Sequence, residues 1–119
     1  MVTIDLSGKL AVITGASGEL GRVMARTLAA AGADIAVHYH HGADRAENLV
    51  QELRKMSVNA SSFTADVGDL SSVLRMKQEI FTTMGAPDII VDAAVVQYQP
   101  WTSVLEHQPG GARRGRLYQ

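Results

Sequence analysis

The residues best placed to do chemistry lie near the start of the chain, in Thr14-Gly15-Ala16-Ser17-Gly18-Glu19-Leu20-Gly21. They follow directly on the short apolar run Leu10-Ala11-Val12-Ile13, and a helix-periodic segment begins at once after them. Strand, glycine turn and helix in that order form the arrangement that binds a dinucleotide. The glycines let the backbone turn tightly and approach a pyrophosphate, and the helix N-terminus faces its negative charge. A second group of interest is His38, His40 and His41. His38 and His40 would share one face of a strand, which invites a metal reading. No acidic partner accompanies them, so a solvated strand end is the simpler expectation. A serine hydrolase is not indicated, because no serine sits in a Gly-x-Ser-x-Gly elbow. Arg113, Arg114 and Arg116 could grip phosphates, but three charges at a chain end are more simply solvated, and no nucleic-acid partner is expected.

These residues need elements to position them, and the sequence alternates strand-like and helix-like segments. Residues 10–14 read as the first strand. The next helix places Leu20, Val23, Met24, Thr27, Leu28 and Ala31 at helical spacing, with Gly32 as its stop. Residues 33–39 form a second strand with Ile35, Val37 and Tyr39 on one face. A second helix then buries Ala46, Leu49, Val50 and Leu53, with Asp44 and Glu47 at capping-box spacing. Residues 59–64 make a weaker third strand that leads into Ala65-Asp66-Val67. A third helix from Leu70 to Met84 turns Val73, Met76, Ile80 and Met84 inward and ends at Gly85 and Pro87. Asp88-Ile89-Ile90-Val91 is a short, strongly apolar fourth strand suited to a parallel sheet. Connections of helical length imply right-handed crossovers, hence an α/β fold: a partial Rossmann fold whose doubly wound parallel sheet of about four strands has the order 3-2-1-4. Residues 101–107 could begin another helix. From Gln108 onward periodicity is lost in a Gly/Arg-rich stretch.

Composition bounds the remaining classes. The chain has 119 residues, enough for one small domain and one core. A hydrophobic share of 46% against 19% charged favours a globular chain over a disordered one. A formal net charge of -1 gives no global electrostatic case for nucleic acid or an anionic membrane surface. Cysteine is absent, which removes disulfides and thiolate metal sites and is compatible with a reducing cytoplasm. Residues 1–9 carry Asp5 and show no apolar signal-peptide core, and no apolar run approaches the ~20 residues of a membrane-spanning helix. A soluble, cytoplasmic protein without a membrane partner is expected.

Thr14-Gly15-Ala16-Ser17 through Gly21, then Ala65-Asp66-Val67, then Asp88-Ile89-Ile90-Val91 closely resemble the first half of a short-chain dehydrogenase/reductase. The subgroup of 3-oxoacyl-acyl-carrier-protein reductases and related sugar or alcohol dehydrogenases is the most similar, and the resemblance covers roughly residues 5–107. It implies that Gly15, Ser17, Gly18, Leu20 and Gly21 line the phosphate turn. It further implies that Asp66 bonds the adenine amino group beside the Val67 backbone, and that Ala93 and Ala94 flank the adenosine ribose. Members that prefer NAD commonly carry an acid at the end of strand two, and those that prefer NADP carry a basic residue nearby. Here that region is Tyr39-His40-His41, with His40 near the position where the subgroup often has arginine. Imidazole is a weak clamp for phosphate at neutral pH. The absence of an acid leans the choice between NADP and NAD toward NADP.

Three departures from the family pattern sharpen the expectation. The glycine turn of the family reads Thr-Gly-x-x-x-Gly-x-Gly, and Glu19 stands where the middle glycine belongs, with Gly18 one place earlier. A carboxylate there repels a pyrophosphate unless it points to solvent. The family's Asn-Asn-Ala-Gly after strand four is Asp92-Ala93-Ala94-Val95, which loses two amides that tie strand four to its neighbours and adds bulk at Val95. Lastly, the family's chemistry uses a Tyr-x-x-x-Lys pair and a serine, tyrosine as acid or base and lysine lowering its pKa. The tyrosines here are Tyr39, Tyr98 and Tyr118, none with a lysine four residues on, and the last lysine is Lys77. The resemblance therefore implies an NAD(P)-binding half-domain over residues 1–107, an irregular tail over 108–119, and no hydride transfer by these residues alone. The abrupt ending is what a shortened or frame-shifted member would show; a non-catalytic nucleotide-binding or interaction module is the alternative. Strand four, lacking its next neighbour, would leave Ile89, Ile90 and Val91 at an open edge liable to self-association.

Overall fold

Strands and helices alternate along the computed structural model, which describes residues 4–94. The elements are β1 (Leu10–Thr14), α1 (Glu19–Ala30), β2 (Asp34–Tyr39), α2 (Ala43–Arg54), β3 (Ala60–Thr64), α3 (Leu70–Thr83) and β4 (Ile89–Asp92). All pairings are parallel and the order is β3-β2-β1-β4, as the sequence implies. Val95, the 101–107 segment and the boundary at 107/108 lie outside the described residues.

The central position of β1 follows from its composition. Leu10, Ala11, Val12 and Ile13 are all buried, because helices cover both faces of the sheet. Ala11 and Ile13 join Ile35 and Val37 of β2 beneath α1 and α2, in a core completed by Ala46, Leu49, Val50 and Leu53. Leu10, Val12 and Ala36 point to the other face, where Met76 and Ile80 of α3 meet Phe63 and Ala65. Strand periodicity of two thus divides the sheet into two cores. Asp88 lies just before β4 rather than inside it; its carboxylate accepts from the Leu10 N–H at 2.9 Å and sets the register of β4 on β1.

The inward face of α1 differs from the expected one. Leu20 and Val23 are exposed at 66% and 54%, whereas Gly21, Ala25 and Ala29 are buried and Met24 and Leu28 are partly so. The helix lies so close to the turn and the sheet that only small side chains fit along its line of contact. Its end behaves as expected: Ala33 N–H bonds Leu28 C=O and Gly32 N–H bonds Ala29 C=O, the paired bonds of a Schellman stop. On α2 the capping box does not form. Gly42 occupies the cap position with no side-chain bond, and Asp44 falls inside the first turn, where its charge still complements the helix dipole. On α3, Met76 and Ile80 are buried and Met84 packs beside them, while Val73 is only half-buried.

At β4 the sheet stops among the described residues. Ile90 is 71% exposed, while Ile89 and Val91 are half-buried against the core under α1 and α2. The open apolar face is therefore narrower than all three residues, because alternation turns two of them inward.

Candidate functional site

The chain runs from β1 outward to β2 and β3, then returns to the opposite side of β1 as β4. That reversal opens a crevice beyond the carboxyl ends of the strands, the usual ligand position in a doubly wound sheet. A cavity of about 640 Å³ occupies it.

The turn after β1 forms one wall. Gly15 adopts φ +66, and a Cβ on it would lie 2.7 Å from Ala94 Cα and 2.8 Å from Ala93 O, so the turn touches the end of β4. Gly21 is equally constrained: a Cβ there would stand 2.3 Å from Gly15 O and 2.6 Å from Ala16 Cα. These two glycines let α1 start against the turn that precedes it. Gly18, with φ -78, caps the helix without needing special freedom. No side chain caps α1, so its first-turn N–H groups face the crevice without an intrahelical acceptor. Glu19 occupies the first helical position with an ordinary negative φ. The backbone accommodates its departure from the glycine pattern, and the residue is among those that line the cavity.

The second wall comes from the ends of β2 and β3. Asp66 accepts from the Gly68 N–H at 2.9 Å through Oδ1, and its own N–H donates to Ser72 Oγ at 2.9 Å. The carboxylate thus both shapes the turn into α3 and lines the crevice with Val67 and Gly68. α3 is capped instead by Asp69, which accepts from Ser71 N–H. Ser17 donates to the His41 carbonyl at 3.2 Å and joins the phosphate turn to the end of β2. His40 is exposed beside it, its ring centroid 4.1 Å from that of His41.

Thr14 closes the third side. Its hydroxyl donates to Asp92 Oδ1 at 2.7 Å and accepts from the N–H groups of Ala93 and Ala94 at 3.1 and 3.3 Å. β4 is therefore tied to β1 after all: a carboxylate at 92 receives the hydroxyl proton while the backbone beyond supplies donors. The loss of the two amides does not free the strand.

All ten residues expected at the site line this one cavity: Gly15, Ser17, Gly18, Leu20 and Gly21 from the turn and the start of α1, His40 beyond β2, Asp66 and Val67 beyond β3, and Ala93 and Ala94 beyond β4. The exposure of Leu20, unexpected for a core position, follows from its place at the cavity mouth. His38 is the residue that sequence reasoning misplaced. It is not solvated but 1% exposed. Gly15 N–H donates to its Nδ1 and its Nε2–H donates to Ala65 C=O, both at 2.9 Å. One neutral tautomer satisfies both partners. Burial pushes its pKa below the ordinary histidine value; the Ala65 carbonyl opposes that shift, nearby His40 adds to it, and Asp92 opposes it. The buried position within the run 35–38 was the available signal. Among the described residues, no group of three or more His, Cys, Asp or Glu side chains is placed to hold a metal, and no helix is long and apolar enough to cross a membrane.

Comparison with known proteins adds the following. The family model described as short chain dehydrogenase matches residues 9–109. A short-chain dehydrogenase/reductase of Pestalotiopsis microspora is 34% identical over 108 residues, covering 90% of this chain and 41% of that protein. A 3-oxoacyl-[acyl-carrier-protein] reductase of Staphylococcus aureus is 31% identical over 107 residues, covering 82% of this chain and 44% of its own length. Among solved structures, a landomycin C-6 ketoreductase with bound NADP and rabelomycin superposes with a TM-score of 0.80 at 31% identity, over 97% of this chain and 49% of that one. The chain thus spans less than half the length of these relatives.

Proposed function

The chain belongs to the short-chain dehydrogenase family, and from that premise we propose that its crevice binds the adenosine-pyrophosphate part of NADP or NAD without carrying out hydride transfer itself. The observation that carries this reading is the uncapped N-terminus of α1 opening into the same cavity as Asp66 and the ends of β1 and β4. In the proposed pose the first-turn N–H groups of Glu19, Leu20 and Gly21 meet the pyrophosphate, with Gly15, Ser17 and Gly18 shaping the turn. Asp66 spends Oδ1 on Gly68 and offers Oδ2 to the adenine amino group, with the Val67 backbone beside it. Ala93 and Ala94 flank the ribose, and His40 lies toward the 2′ position. NADP is favoured over NAD because residues 39–41 bring no acid to pair the ribose hydroxyls.

The group fits the donor set except at Glu19, whose carboxylate competes with the pyrophosphate for the start of the helix. When bound, the nicotinamide supplies the hydride chemistry of the family; the 119 residues contribute binding and orientation only, having no Tyr-x-x-x-Lys. A carbonyl or alcohol oxidoreductase is accordingly the activity proposed for the longer proteins of this lineage. Titration of the 119-residue chain with NADPH and NADH, read by cofactor fluorescence, tests this. Saturable binding that is tighter for NADPH, with no cofactor oxidation on adding a ketone panel, is expected. Absence of saturation with either cofactor overturns the binding assignment, and turnover overturns the non-catalytic one.

A further inference from the structure

We propose that His38 is a positioning residue of this site: its neutral ring clamps the phosphate turn to the adenine-side loop, and protonation releases the clamp. The inference rests on the cofactor reading for its functional consequence, but its structural half stands alone.

Two parts of the site lie on different connections, the turn after β1 and the loop after β3, and β2 separates their strands. His38 on β2 spans the gap. Its Nδ1 accepts from Gly15 at the start of the phosphate turn, and its Nε2–H reaches the carbonyl of Ala65, the residue before Asp66. Backbone bonds run parallel to this bridge, Ala16 N–H to His38 C=O at 3.0 Å and Ala65 N–H to Tyr39 C=O at 3.1 Å. The ring is the only part of the bridge that can change its hydrogen-bonding sense. A protonated imidazole has two donors and no acceptor. Nδ1–H would then face Gly15 N–H, donor against donor, in a place where the ring is 1% exposed. Gly15 cannot yield toward β4, since it already abuts Ala93 and Ala94. The turn must move away from β2 and carry the start of α1 with it.

The charged groups around the ring are few. His40 just beyond the end of β2 disfavours the charged ring and Asp92 at the end of β4 favours it. Asp66 beyond β3 and Glu19 on α1 line the same cavity. Burial outweighs these influences, so the neutral, clamping form prevails at neutral pH.

The test compares the 119-residue chain with H38N and H38F. Asparagine retains an acceptor and a donor but does not titrate; phenylalanine removes both bonds, and if it fails to fold, H38N carries the comparison. NADPH affinity is measured from pH 7.5 downward, each protein relative to its own value at pH 7.5. The cofactor and every other residue are the same in both proteins, so the difference between profiles belongs to His38. Below the His38 pKa the wild-type affinity is expected to fall, relative to H38N, by about tenfold per pH unit, the slope for one coupled proton. Superimposable profiles overturn the proposal. In the free chain, nitrogen NMR is expected to show the Nε2–H tautomer, with the Gly15 amide titrating together with the ring; a Gly15 amide indifferent to that titration also overturns it. If neither protein binds NADPH at any pH, the cofactor reading fails, and the Gly15 amide still decides whether the clamp exists.

Discussion

Replacing Gly21 by alanine separates a structural requirement from ordinary helix propensity. In an unconstrained helix interior, glycine to alanine stabilises by roughly 0.5–1 kcal/mol. Here the added Cβ would lie 2.3 Å from Gly15 O and 2.6 Å from Ala16 Cα. Both contacts are backbone, so no side-chain rotation relieves them. Overpacking of this kind costs about 1–3 kcal/mol, enough to cancel the propensity gain and reverse its sign. For a chain of this size, a net loss of about 1–2 kcal/mol lowers Tm by roughly 4–10 °C. Gly18→Ala is the matched control: its Cβ would meet only Gly15 O, at 3.3 Å, and alanine at a cap position costs about 1 kcal/mol or less. Urea and thermal unfolding of both variants, with NADPH titration of each, gives the comparison. G21A is expected to be the less stable and to lose most cofactor affinity, because α1 must back away from its own phosphate turn. A G21A protein more stable than the wild type would refute the close approach of α1 and the turn.

Glu19→Gly is expected to raise NADPH affinity about three- to tenfold by removing a like charge from the start of α1; equal affinities in the two proteins would take Glu19 out of the argument. Thr14→Val should cost about 1–3 kcal/mol in urea unfolding, because it orphans the N–H groups of Ala93 and Ala94, whereas D92N keeps an acceptor for the hydroxyl and should change stability by less than about 1 kcal/mol. A T14V protein as stable as the wild type would show that the β1–β4 tie contributes nothing. Stability should fall as pH drops below about 6.5, the ordinary histidine value, because His38 is held below it and the unfolded chain takes up that proton first. This contribution is present above the unfolded pKa and is lost as pH falls through the folded one, at up to about 1.4 kcal/mol per pH unit; H38N should show the shallower slope in urea unfolding. The exposed Ile90 on the outer strand should drive concentration-dependent self-association of the 119-residue chain in sedimentation, reduced in I90K; a single monomeric species at high concentration would contradict this.

Sequence made the sheet legible because a parallel strand announces itself as an unbroken apolar run, as the buried residues 10–13 and the outer-strand residues 89–91 do. Strand order followed from crossovers of helical length. What escaped was decided by close approach rather than by hydrophobicity. Leu20 and Val23 read as core and are exposed, because α1 lies too near its turn to admit anything larger than Gly21, Ala25 and Ala29 on the contact line. Asp44 has capping-box spacing, but the chain enters α2 through Gly42 in a left-handed conformation and the helix starts two residues early. At the site, glycine spacing and Asp66 located the cavity. The role of His38 stayed hidden because a histidine among histidines at a strand end gives no sign of having partners on both ring nitrogens. Those partners come from residues 15 and 65, on two other strand ends.

The central claim is that the crevice at the switch point between β1 and β4 is a dinucleotide site. Amide chemical shifts of the isotope-labelled 119-residue chain, followed during NADPH titration, test it most directly. The account predicts saturable shifts confined to residues 15–21, 38–41, 66–68 and 93–94, the four segments that line the cavity. Shifts absent from these segments, or gathered at the opposite strand ends around Asp34 and Asn59, would contradict it.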